Sequence, residues 1–152
     1  MKPLIVLLGT FIISITVLKL VRNTIDYRLA GRIAMAAMLT FTAIGHFVFI
    51  DGMKAIIPDF LPLKTEMVYA TGILELVFAV ALFYPNYSVL TGWALIIFFI
   101  AILPANIKAA MHHINYQTGA TNGHGLTYLW FRVPLQAFFI AWVYLSTLKQ
   151  VQ

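Results

Sequence analysis

Residues 67–84, MVYATGILELVFAVALFY, are an apolar stretch with one carboxylate, Glu75, at its middle. A bilayer core is crossed by a helix of roughly 18 to 20 residues, and this stretch has that length. A carboxylate at such a depth costs roughly 2.5 to 3.5 kcal/mol even on the milder insertion scales. Glu75 therefore needs a partner or a task. The rest of the chain supports a membrane setting: of 152 residues, 62% are hydrophobic and only 10% charged, whereas soluble domains carry about 25% charged residues. The formal charge of +5 is too sparse and scattered to suggest nucleic acid. Cysteine is absent, which excludes disulfides, thiolate metal sites and iron–sulfur clusters.

In chain order, residues 1–22 read as a retained first transmembrane helix. The apolar run from about Pro3 to Leu18 meets Lys19 and Arg22 and no small-x-small cleavage site. A second helix is expected over about 30–50. Residues 51–66, DGMKAIIPDFLPLKTE, cannot form one continuous helix because of Pro58 and Pro62, yet they are too apolar for a solvated loop. An interfacial or partly re-entrant segment packed against protein fits them. Further helices follow over 67–84, 88–110 (interrupted at Pro104) and about 127–148. The expected fold is an all-α membrane protein, with a four-helix bundle over 30–148 and an additional N-terminal transmembrane helix. Lys19, Arg22, Arg28 and Arg32 cluster after the first helix, which predicts an outside N-terminus and a cytoplasmic C-terminus.

Counting inward from the outer helix ends at about 1.5 Å per residue puts His46 and Asn106 roughly 6 Å deep. On the same count Arg132 is near 7 Å, and Glu75 and Gln136 are near 13 Å, each an approximate depth. Arg132 and Gln136 are four apart and share a helix face. Asn106 and His113 are seven apart and would align if their helix continued past Ala110. The simplest pairing is Glu75 with Arg132, through Gln136, because a guanidinium fork can hold a carboxylate in two bonds. Such a network either only fixes helix register or lines a polar pocket that binds a small molecule or moves protons. His112 and His124 read as surface-loop or capping residues. No HxxxH or HxxEH spacing brings histidines together, so no metal site is expected.

Several motifs together resemble the DoxX and DoxX-like membrane proteins. They are Gly45-His46-Phe47, Ile57-Pro58-Asp59-Phe60-Leu61-Pro62, Thr71-Gly72-Ile73-Leu74-Glu75, Leu103-Pro104-Ala105-Asn106-Ile107 and Arg132-Val133-Pro134-Leu135-Gln136, followed by Trp142. The resemblance covers about residues 30–148 and implies a small bundle of four transmembrane helices. Some members of that family are described in quinol-linked or thiosulfate-oxidising membrane complexes, or in oxidative-stress assemblies. A eukaryotic branch resembles an assembly chaperone for receptors. The resemblance implies a bacterial inner-membrane protein whose polar cluster binds a quinone-like or other small amphiphile within a membrane redox system. Glu75 would relay the proton, and His46, Asn106, His113, Arg132 and Gln136 are ligand-binding candidates. The partners expected are the bilayer, a membrane or redox protein and a second copy of the chain. The alternative is a non-enzymatic accessory or chaperone protein whose cluster is structural.

Overall fold

A short polar connection turns the first helix back on itself, and its residues explain where both helices stop. The computed structural model describes residues 2–123 and 125–149. Helix α1, Lys2–Arg22, ends where Asn23 adopts a left-handed conformation (φ 52°) and returns its N–H to the Lys19 carbonyl at 3.1 Å. Helix α2, Tyr27–Val48, starts at Asp26, whose Oδ1 accepts the backbone N–H groups of Arg28 and Leu29 at 3.0 and 2.9 Å. This cap starts α2 three residues before the position its apolar pattern suggests.

The remaining helices are α3 (Ile50–Ile56), α4 (Lys64–Ala81), α5 (Ser88–Ala101), α6 (Leu103–Met111) and α7 (Leu126–Val143). A 3₁₀ turn at Pro85–Tyr87 leads into α5, and a π-helical turn at Tyr144–Leu148 finishes α7. All the regular structure among the described residues is helical. Four stretches are long and apolar enough to cross a membrane: Lys2–Arg22, Tyr27–Val48, Pro85–Met111 and Leu126–Leu148. Helix α4 lies outside these four, because it carries Lys64, Glu66 and Glu75 within 18 residues. It starts and ends three residues earlier than its sequence suggests, and it packs chiefly against α2.

Helix α2 is the central element, with α1 along one side and α4 along another. Its inward stripe is small or flexible: Ala30, Ala34, Met35, Leu39 and Ala43 are wholly buried. Small side chains allow close helix approach, which matters where lipid tails are as apolar as the core. Leu7 of α1, Leu82, Leu95 of α5 and Val143 of α7 complete the buried core. At the far end of the bundle Trp142 Nε1 donates to the Gly31 carbonyl at 3.1 Å, tying α7 to α2.

The proline at 104 breaks the Pro85–Met111 span as expected. Helix α5 ends at Ala101, and Pro104 falls in the first turn of α6, where its missing N–H is tolerated. Residues 51–66 form the short α3 and a turn through Pro58 and Pro62, held against protein by charge. Asp59 Oδ1 accepts from Lys64 Nζ at 2.7 Å and Lys108 Nζ at 2.8 Å, and Lys108 also donates to the Ile57 carbonyl at 2.7 Å.

Candidate functional site

Four helices bring five polar residues to one level. His46 comes from α2, Glu75 from α4, Asn106 from α6, and Arg132 and Gln136 from α7. Glu75, Asn106 and Gln136 are buried, while Arg132 is half-buried.

The α2–α4 half is built on a close contact. A Cβ at Gly72 would stand 2.9 Å from the His46 Cβ, so only a glycine lets the imidazole lie flat on α4 at this point. His46 Nδ1 then sits 3.2 Å from the Val68 carbonyl and 3.1 Å from Thr71 Oγ1. A carbonyl can only accept, so Nδ1 carries the proton and donates it to Val68. Thr71 directs its own hydrogen to the Met67 and Val68 carbonyls at 2.8 and 3.0 Å. In the neutral ring this leaves Nε2 as an acceptor, and Nε2 is 3.7 Å from Glu75 Oε2. That Glu75 oxygen is buried and has no hydrogen-bond partner among the described residues. Thr42, one turn before His46 on α2, is the hydroxyl beside the carboxyl.

The α6–α7 half is a chain of amides. Arg132 Nε donates to Asn106 Oδ1 at 3.3 Å, and Asn106 Nδ2 donates to Gln136 Oε1 at 3.3 Å. Gln136 Nε2 in turn donates to the Phe99 carbonyl, beside the break between α5 and α6. A side chain of α7 thus satisfies a backbone group at the helix interruption. The Arg132 guanidinium also lies over the Tyr128 ring, 5.9 Å from its centroid.

The two halves meet at a cavity of about 40 Å³ lined by Thr42, Glu75, Arg132 and Gln136, with Pro3 of α1 and Phe99 among its apolar walls. A water molecule occupies about 30 Å³ in the liquid, so the space suits one water or one polar end of a larger molecule. The direct Glu75–Arg132 ion pair expected from the sequence is not formed among the described residues. The nearest ionisable partner of Glu75 is His46, and Arg132 is turned toward Asn106. Helix α7 turns Arg132 to α6, whereas α4 turns Glu75 to α2.

His113 does not join the cluster. Helix α6 ends at Met111, His113 is left-handed (φ 53°) and exposed, and its ring lies against Gly125. The seven-residue alignment with Asn106 fails because no helix carries it. His112 is exposed just past the end of α6, and His124 lies outside the described residues. The roles of Val68 and Phe99 are not visible as motif positions, whereas Thr71 opens the Thr71–Glu75 motif, four residues before Glu75, and Thr42 stands four before His46.

Fold and site together define an all-helical membrane protein with a small cavity between its helices that Glu75, Arg132 and Gln136 help to line. The chain belongs to the family described as Domain of unknown function (DUF8561), which matches residues 35–147. That range holds all five clustered residues and leaves out α1. No curated protein and no solved structure matches the chain.

Proposed function

We propose that this is a DoxX-like membrane protein, a four-helix core with α1 added, whose cavity takes the polar end of a quinone-like amphiphile and exchanges a proton with it. One observation carries the reading: Glu75 Oε2 is buried without a partner at a cavity that Arg132 and Gln136 also line. A carboxyl in that position can give a proton to a ligand oxygen, and His46 Nε2 is placed to receive or return one. Arg132 and Gln136 supply donors for the oxygen as negative charge develops on it. About 40 Å³ admits a carbonyl or hydroxyl and not a whole ring, so the ring would rest against apolar walls such as Phe99 and Phe139. Reduction of a quinone takes two electrons and two protons. In this reading the chain handles protons, and a redox protein in the same membrane supplies the electrons. In this reading the protein lies in a bacterial inner membrane with α4 as a further crossing. The basic residues after α1 support an outside N-terminus and a cytoplasmic C-terminus, and the exposed apolar helix faces support self-association.

A second reading, that of a non-enzymatic accessory or chaperone protein, draws on the other half of the cluster. Asn106, Arg132 and Gln136 bond to each other and to backbone, as register-fixing groups would.

The test is chemical. Protein purified from membranes is extracted and its lipids are identified by mass spectrometry. Quinone recovered with the wild type and lost with a folded Glu75→Gln variant supports the first reading. A wild type that retains no quinone, together with folded Glu75→Gln and Arg132→Met variants of unchanged function, leaves the structural reading standing.

A further inference from the structure

The opposite end of α2 carries a charge problem that the cavity does not explain. Residues 19–32 hold Lys19, Arg22, Arg28 and Arg32 against one carboxylate, Asp26. Asp26 is engaged by the backbone N–H groups of Arg28 and Leu29 as the cap of α2. Among the described residues, no ion pair joins Arg28 or Arg32 to any carboxylate. Both arginines are half-buried, and Nη2 of Arg28 and Nε of Arg32 are out of solvent contact with no hydrogen-bond partner among the described residues.

Arg28 and Arg32 are four residues apart on α2, which puts them on one face with about 6 Å of rise between them. Two half-buried guanidinium groups so placed, with no carboxylate paired to either among the described residues, match an anion that offers several acceptor oxygens at once. The site lies where one membrane-spanning stretch ends and the next begins, at the depth of lipid headgroups. Around it Leu20 and Val21 are strongly exposed, and Ile25 and Tyr27 are also exposed, an apolar surround for acyl chains.

We propose that Arg28 and Arg32 bind the phosphate of an anionic phospholipid. The phosphate accepts from the accessible N–H groups of the two half-buried guanidiniums, and the excess of cations over Asp26 selects a headgroup with net negative charge.

The experiment uses the full chain in a zwitterionic detergent. Thermal stability and lipid retention (by native mass spectrometry) are measured with phosphatidylglycerol, phosphatidylcholine or inorganic phosphate. Phosphatidylglycerol is expected to raise Tm by several degrees more than phosphatidylcholine and to stay bound. Arg28→Gln with Arg32→Gln abolishes that preference, while Lys19→Gln with Arg22→Gln keeps it. Equal responses of the wild type to the two lipids overturn the proposal. So does a loss on the Lys19 and Arg22 changes as large as that on the Arg28 and Arg32 changes. If inorganic phosphate alone reproduces the stabilisation through the same two arginines, the site takes free phosphate and the lipid assignment falls. Should the glutamine pair fail to fold, Arg28→Lys with Arg32→Lys decides: the charges remain and the planar forks are lost. Weaker phosphatidylglycerol retention is then expected, and unchanged retention overturns the role of the forks.

Discussion

Nε2 of His46 stands 3.7 Å from Oε2 of Glu75, between two helices held together by a glycine. The imidazole is fixed in one tautomer from behind, by the Val68 carbonyl, so the nitrogen facing the carboxyl is the one able to accept a proton.

Removing the imidazole should isolate the carboxyl. His46→Ala is expected to destabilise the protein by about 1–3 kcal/mol, through the lost Nδ1–Val68 hydrogen bond and the space left against α4. Glu75→Gln should lose less. In a double-mutant cycle read by thermal unfolding in detergent, the His46→Ala and Glu75→Gln effects should be non-additive, and additive effects would show the pair to be uncoupled.

Gly72→Ala puts a methyl group 2.9 Å from the His46 Cβ. Helices α2 and α4 must then separate slightly, at a cost of about 1–3 kcal/mol typical of overpacking. A lower Tm with retained helicity by circular dichroism is the expected result. An unchanged Tm would mean that the α2–α4 contact is looser than described.

Gln136→Leu keeps side-chain volume but leaves Asn106 and the Phe99 carbonyl without their shared partner. Each buried group so orphaned costs about 1–3 kcal/mol. The loss should fall on the α5–α6 break. Faster hydrogen exchange at residues 102–106 in the variant, with α2 unaffected, is the diagnostic readout.

Lys108 and then Lys64 hold the Asp59 carboxyl at a pKa of about 2, below its ordinary 3.8. A lowered folded-state value means that the clamp's contribution is fully present above about pH 4. It disappears as pH falls through about 2. Limited acid proteolysis of residues 57–63 should rise over that interval in the wild type and be pH-insensitive in Asp59→Asn. Because Asp59 is exposed, high salt should mimic the substitution.

Much of the architecture is legible in one dimension. Apolar runs of bilayer length require helices, since a backbone in lipid must satisfy its own hydrogen bonds. Pro104 marks the break, and Pro58 with Pro62 mark the turn between α3 and α4. The rule that polar residues in a membrane helix turn inward picks out His46, Glu75, Asn106, Arg132 and Gln136. Their partners could not be read the same way, because a depth along a helix says nothing of rotation about it. Only the packed structure shows Glu75 turned to His46 and Arg132 turned to Asn106. Helix ends moved by three residues for local reasons, the Asp26 cap above all, and His113 dropped out when α6 stopped at Met111. Spacing along the chain determined which residues would be buried together. Contacts between helices, set by where small residues such as Gly72 permit close approach, decided which of them touch.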